Sequence, residues 1–434
     1  MSFPVATAAE VVSAIQREGL LNAGLPPVSA ALQNHSGELA RFRSLESEKA
    51  TGDLYPDAQF AKYRDMSGLL ARIPTVYQNP FVYAWLEDFW AHHSAAVYRQ
   101  ADQPPPRFLM ASAATGQFNA NAISGSDQSA ILIEDGLIFF AHRAAYIVSP
   151  LLFRRIDGNR FVATGLPEDL GPSSPLYLAS LEVAQLVLDY LLEGAVPGVP
   201  PIARTEADDF SIRHVIFTSL MSFVFEHELH HLREAREAGQ EISIRKKVAQ
   251  ERFDALWRFV EKAFEGESRV EFDQVRMERL FHAHSEEHFA DLRALLSVIH
   301  IGRESGTLVP AIDGALLFFF LADALNHAHR TIADPEAYRA MDGMNDVGLV
   351  LNGLVLEESH PYAHMRLKSL LENQEAFSPS LLNLLAQEAG KLKGFFDTVK
   401  EILTKAIEEH EFQIGDLHPK WCFDARRLLG LDPA

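Results

Sequence analysis

The sequence predicts an α+β protein that is predominantly helical and has one small sheet. Apolar residues recur at helical spacing over long stretches, for example from Val11 to Leu21 and from Leu381 to Ile414. From Arg107 to Ile123 and from Ser129 to Phe140 the apolar runs are shorter and richer in β-branched residues, and turn-forming residues separate them. A composition of 47% hydrophobic residues in 434 is enough to form a large buried core.

The predicted elements fall into three regions. An N-terminal helical region, residues 1–105, ends at a run of three prolines, residues 104–106. The core region, residues 106–375, contains the small sheet and a charged helical insertion at about 240–270. A C-terminal helical region follows at 376–434.

Two helices of the core region can be justified from their ends and composition. One is predicted from Pro175 to Leu192, because Ser174 can cap its first turn and proline suits the first helical position. The longest apolar run, Gly314 to Leu325, is interrupted by Asp323 and is shorter than the roughly 20 residues that span a bilayer. It therefore predicts a buried core helix.

Charge and cysteine content limit the partners and the location. The formal net charge of -20 disfavours nucleic acid and anionic membrane surfaces, because both would repel the protein. The single cysteine, Cys422, excludes an intramolecular disulfide and a cysteine-rich metal site. The N-terminus shows no basic region followed by an apolar core. We expect a cytoplasmic protein with neither nucleic acid nor membrane as partner, and the oligomeric state stays open.

The run from Phe225 to His231 contains a His-Glu-x-x-His motif on a predicted helix. His227 and His231 lie one turn apart on one face, so two imidazoles can bind one Zn²⁺ at about 2.0–2.1 Å. Glu228 is placed to take a proton from a water molecule at the metal. The motif also arises by chance, in which case its histidines are core or surface residues.

A third ligand is expected on a second helix, because a catalytic zinc site uses three protein ligands. Glu287 and Asp291 lie four residues apart, so Glu287 can bind the metal while Asp291 orients a ligand histidine. Glu286 and the pair His284 and His288 are competing ligands, and Glu287 can instead be a charged surface residue. The predicted cofactor is one Zn²⁺ per chain.

These motifs resemble the gluzincin zinc metallopeptidases, in which a Glu-x-x-Ala-Asp helix follows the His-Glu-x-x-His helix. The segment from Glu287 to Asp291 fits that second helix. The segment from His360 to Arg366 resembles the His-Pro-x-x-x-x-Arg element of HtpX-like enzymes. A segment of this chain also resembles the Asn-Ala-x-Ala strand of the HtpX-like enzymes, namely Asn119, Ala120, Asn121 and Ala122.

Within this group the chain resembles soluble members more than membrane-bound ones. HtpX-like enzymes carry membrane helices that are not predicted here, so the resemblance is closer to the Lit-type phage-exclusion peptidases and more distant to the ImmA/IrrE regulators. The separation of Glu287 from His231 exceeds that of the compact ImmA type. The resemblance implies a zincin-like core in which a small sheet packs on the active-site helix.

The same resemblance implies a zinc endopeptidase of narrow specificity whose substrates are proteins or peptides. A peptide would lie extended along the strand from Asn119 to Ile123 or along the strand from Ser129 to Ile133, and the two strands are otherwise a structural hairpin. His360 would act in catalysis by hydrogen-bonding the developing oxyanion, or would simply end a helix before Pro361. Arg366 would bind substrate or pair with a carboxylate of the site, or would be a surface residue.

Two alternatives belong to other functional classes. A carboxylate-bridged di-iron protein is conceivable because Glu-x-x-His occurs at Glu228 to His231 and at Glu357 to His360, although Pro361 places the second pair at a helix end. A catalytically weak regulatory protein would keep the same fold and metal. The intact Glu228 argues against that second alternative.

Overall fold

The structure is a computed structural model. It describes residues 6–22, 72–78, 80–98, 104–113, 118–157, 160–163, 173–193, 210–234, 240–263, 274–336, 344, 350, 362–373 and 375–418. The helices in these segments are α1 (Ala8–Asn22), α2 (Pro80–Val97), α3 (Asp135–Leu152), α4 (Pro175–Glu193), α5 (Phe210–Glu234), α6 (Gln240–Ala263), α7 (Gln274–Glu304), α8 (Leu308–Ala333), α9 (Ala363–Leu371) and α10 (Pro379–His410). The strands are β1 (Leu109–Ala113), β2 (Ala120–Ser124), β3 (Ser129–Glu134), β4 (Phe153–Asp157) and β5 (Arg160–Ala163).

Helices dominate these segments, and the prediction of a predominantly helical α+β fold is confirmed. The main sheet has the order β1-β3-β2, with β1 parallel and β2 antiparallel to β3. A separate antiparallel pair, β4 and β5, was not predicted. The division into three regions stays a prediction.

The central strand β3 is buried along its whole length and separates two apolar clusters. Because successive side chains of a strand point to opposite faces, Ile131 and Ile133 enter the main core while Ala130 and Leu132 contact α1. The sheet is thus covered on one face by the helical core and on the other by α1.

Helix α5 carries the His-Glu-x-x-His motif through the middle of the core. Its residues 219–230 are all buried, including six polar ones, Ser219, Ser222, Glu226, His227, Glu228 and His230. It packs against α3, α7, α8 and β2. At Gly314 of α8 the approach is so close that a Cβ atom would lie 2.3 Å from the carbonyl oxygen of Ile216. These neighbours hold the motif rigidly.

Sequence reasoning located some boundaries well and missed others. Helix α4 begins at Pro175, and Ser174 Oγ accepts a hydrogen bond from the Tyr177 N–H at 3.1 Å, as predicted. The run from Arg107 to Ile123 forms two strands instead of one. Helix α3 begins at Asp135, inside a run predicted as a strand, because apolar stretches of this length fit either structure until tertiary packing decides.

Two helices are long and apolar enough to cross a membrane, by length and composition alone. They are α4 and α8, and 56% and 72% of their most apolar windows are buried inside the protein. Core helices of soluble proteins have the same character. The predicted burial of the run from Gly314 to Leu325 is confirmed over most of its length, since it forms the centre of α8.

Candidate metal centre

Three side chains from two helices converge on one point. Helix α5 supplies His227 and His231, one turn apart, and α7 supplies Glu287. The two Nε2 atoms are 3.2 Å apart. Nε2 of His227 lies 3.3 Å from Oε2 of Glu287, and Nε2 of His231 lies 3.3 Å from Oε1 of the same carboxylate. One ligand atom from each of the three residues lies within 4.8 Å of the other two, so the group could hold one metal ion.

Among the residues that the structure describes, this triad is the one group in which three or more His, Cys, Asp or Glu side chains come close enough to hold a metal ion. The competing residues Glu286, His284 and His288 do not belong to it. The structure therefore brings together the three predicted ligands and identifies a possible His/His/Glu metal site, without showing which metal it takes.

Asp291 and Arg366 lie behind the first ligand. Asp291 Oδ1 is 3.0 Å from Nδ1 of His227, which leaves Nε2 of that ring directed to the site. The Arg366 guanidinium donates two hydrogen bonds to Asp291, at 2.6 and 2.8 Å. Its NH2 group also lies 3.8 Å from Glu287. Asp291 thus fixes the histidine, as predicted, and Arg366 fixes Asp291.

The electrostatics of this buried site favour positive charge. Burial lowers the pKa of His227, but Asp291 and Glu287 outweigh it and raise the pKa to about 10. The pKa of His231 is also raised, because Glu287 and Glu228 outweigh its burial. A metal cation would take the place of the protons that these carboxylates attract.

Glu228 is buried and lines the same pocket as His227. Burial raises the pKa of its carboxyl group, against the effect of the neighbouring His227 and His231. The carboxylate also accepts a hydrogen bond from the backbone N–H of Ala122 in β2. Strand β2 and the expected general base are therefore in direct contact.

A small pocket opens beside His227 and Glu228. Its apolar wall is formed by Phe223, Val224 and Phe318, and its polar wall by Asn119 and Arg366, with Ala120 beside them. The free space is about 20 Å³, which is room for one water molecule.

The other predicted site residues occupy the following places. Asn119 and Ala120 line the pocket, and Asn121 and Ala122 continue along β2. Arg366, predicted to bind substrate or to pair with a carboxylate, makes the carboxylate pair. His360 lies outside the described residues, so its catalytic role stays a prediction.

Sequence reasoning did not identify the apolar wall of the pocket. Phe223 and Phe318 were part of apolar runs that predicted core helices, and their rings are 5.4 Å apart, centroid to centroid. Nothing in the local pattern separates a core phenylalanine from one that faces a pocket, because the distinction depends on how two distant helices pack.

Comparison with known proteins adds no relative. No protein-family model, no curated protein and no solved structure matches the chain.

Proposed function

We propose that the protein is a zinc-dependent endopeptidase of narrow specificity that acts in the cytoplasm. The supporting observation is the convergence of the possible ligand atoms of His227, His231 and Glu287, which lie within 4.8 Å of one another. Two imidazoles and one carboxylate are a ligand set that catalytic zinc sites use, with a fourth position left for water or substrate. The orienting contact of Asp291 on His227 is the outer-shell partner typical of such sites.

The residues around the triad can carry out peptide hydrolysis. Zinc held there would lower the pKa of a bound water molecule and polarise the peptide carbonyl. Glu228 then accepts the proton of the attacking water and passes it to the leaving amine. The Ala122 N–H holds the Glu228 carboxylate in place, and burial makes that carboxylate a stronger base than a solvent-exposed one.

The edge of β2 is the proposed site for an extended peptide. In an antiparallel pair, hydrogen-bonded residues alternate with residues that are not hydrogen-bonded across the pair. The bonds from Glu134 N–H to Asn119 O and from Gly125 N–H to Gln128 O show which residues of β2 bond to β3. By that alternation, the backbone groups of Ala120 and Ala122 point away from β3, toward the unpaired edge. In the described segments β2 is an edge strand. A peptide can therefore pair with the backbone of Ala120 there, next to the Ala122 N–H that holds Glu228.

The opposite edge of the sheet is closed by glutamine side chains. The Ser112 N–H donates to Gln78 Oε1 at 2.8 Å, and Gln16 Nε2 donates to the Ser112 carbonyl oxygen at 2.6 Å. These side chains occupy the backbone groups of β1 that a further strand would need. A peptide is therefore directed to β2, next to Glu228.

The water-sized pocket supports narrow specificity. The rings of Phe223 and Phe318 form part of its wall and limit the substrate side chains that it accepts. Discrimination between substrates then depends on how well they fit this pocket. The proposed partner is a protein or peptide substrate.

The proposal is tested by comparing wild type with Glu228→Gln on a cell extract, using mass spectrometry to detect new peptide termini. Wild type should generate such termini, and Glu228→Gln should not, although both should bind the same amount of zinc. The control is Glu251→Gln, which alters an exposed carboxylate of α6 and should cleave as wild type does. Equal cleavage by Glu228→Gln would show that the base is another group.

A further inference from the structure

Helix α1 is fastened to the turn between β2 and β3. The Ala8 N–H, in the first turn of α1, donates to Asp127 Oδ1 at 2.9 Å, and the Ser126 N–H donates to the Ala6 carbonyl oxygen at 3.0 Å. At Gly125 a Cβ atom would lie 2.2 Å from the Ala8 nitrogen, so the turn needs glycine there. The Asp127 carboxylate thus caps a helix that is distant in sequence.

The contact continues along the outer face of the sheet. Ala8, Val12 and Ile15 of α1 are almost fully buried against Ala130 and Leu132 of β3 and against alanines of β1. This cluster is separate from the main core. Helix α1 is therefore held to the sheet by a small apolar interface and by the polar contacts at the turn.

Strand β2 connects the contacts of α1 with the proposed reaction site. Ala122 lies three residues before Gly125 on β2, and its N–H binds the Glu228 carboxylate. At the other end of α1, Gln16 helps to close the β1 edge through Ser112. Helix α1 thus contacts both β2, the strand that would bind a peptide, and β1, whose outer edge is closed to a peptide.

We propose that α1 is the positioning element of β2, and that Asp127 is the positioning residue through which it acts. Docked α1 holds the β2–β3 hairpin in the conformation that presents the Ala120 backbone to a peptide and the Ala122 N–H to Glu228. The consequence for peptide binding rests on the proposed function, whereas the ordering of β2 by α1 does not. The metal ligands lie on α5 and α7, outside this connection.

The test combines hydrogen–deuterium exchange of the peptide covering Ala120–Ser124 with steady-state kinetics on a substrate found in the extract screen. In Asp127→Ala, exchange of β2 should speed up about fivefold, the factor expected for loss of a helix cap. KM should rise and kcat should fall, because β2 would contact both the peptide and Glu228, while zinc content stays as in wild type. Asp127→Asn keeps an acceptor oxygen and should restore the exchange rate and both kinetic constants.

A second variant and a control make the result decisive. Val12→Asp places a charge in the α1 interface and should produce the same changes as Asp127→Ala, but larger. Ser126→Ala keeps the backbone bond to Ala6 and should behave as wild type. Unchanged β2 exchange in both Asp127→Ala and Val12→Asp would overturn the proposal, as would faster β2 exchange that leaves both KM and kcat as in wild type.

The exchange measurement also separates this proposal from the peptidase assignment. If the wild type cleaves nothing, the peptidase assignment fails, but faster β2 exchange in Asp127→Ala still supports positioning by α1. If the wild type cleaves and β2 exchange does not respond to either variant, positioning fails and the peptidase assignment stands.

Discussion

Asp291 and Asp313 are both buried carboxylates on packed neighbouring helices, α7 and α8, but their surroundings are opposite. Asp291 is 0% exposed, and Asp313 is 1% exposed. Burial would raise the pKa of Asp291, yet Arg366 and His227 outweigh it and hold the pKa at about 2. Burial and the nearby Glu388 raise the pKa of Asp313 well above its usual value, because the one cation near it, Lys391, binds Glu388.

The difference shows that burial alone does not indicate function. Burying a protonated carboxyl group such as that of Asp313 costs a moderate amount of free energy, whereas a buried ionised carboxylate needs a neighbouring cation. Around Asp291 the chain supplies a bidentate guanidinium and an imidazole that faces a third carboxylate, Glu287. Such an arrangement of compensated charges is typical of functional sites.

The largest effect is expected from removing the compensating cation. Arg366→Met keeps most of the side-chain volume but leaves Asp291 buried without its guanidinium. We expect the free energy of unfolding to fall by about 3–5 kcal/mol, as for other broken buried ion pairs. Urea unfolding followed by circular dichroism measures it. Arg366→Lys keeps the charge but loses the planar guanidinium, so its free energy of unfolding should lie between those of wild type and Arg366→Met. An Arg366→Met variant as stable as wild type would contradict the comparison.

An intermediate effect is expected at Asp291 itself. Asp291→Asn keeps the shape but removes the charge that orients His227, so zinc affinity should fall about 10–100-fold. Competition with a chromogenic chelator measures the affinity. Asp313→Asn is the matched control, since it makes the same chemical change in the neighbouring helix and should leave zinc affinity as in wild type. Equal losses in both variants would mean that the two carboxylates do not differ in role.

The smallest effect is expected on stability at Asp313, and its sign depends on pH. The folded protein keeps Asp313 protonated above the pH at which the unfolded chain loses that proton, so wild-type stability falls as pH rises from about 4. Asp313→Asn does not titrate there. It should gain about 1 kcal/mol or more over wild type between pH 5 and pH 8. Thermal unfolding at several pH values checks this, and a pH-independent difference would refute it.

The fold class and the ligand triad could be predicted from sequence because both are local patterns. The helical spacing of apolar residues predicts the long helices. His227, His231 and Glu287 lie in two short motifs that are distant in sequence, and the packing of α5 on α7 brings them together. A helix places residues four apart on one face wherever it occurs. The orienting role of Asp291 followed from the same rule.

The remaining features depend on contacts between distant segments. No periodic pattern in the sequence predicts the strand order β1-β3-β2. The same is true of the closure of the β1 edge by Gln16 and Gln78 and of the capping of α1 by Asp127. The same holds for Phe318, which reaches the pocket only because α8 crosses α5. Arg366 could be singled out from its motif, but its choice of Asp291 as partner required the packed structure.

The most direct test of the central claim is the metal content of the purified protein, measured by inductively coupled plasma mass spectrometry. We expect about one zinc per wild-type chain, as for a single catalytic site, and loss of that zinc in His227→Ala, His231→Ala and Glu287→Ala. Circular dichroism should show that these variants keep their helices. A wild type that binds no zinc, that carries iron with oxidase activity, or that loses no zinc in the three variants would contradict the account.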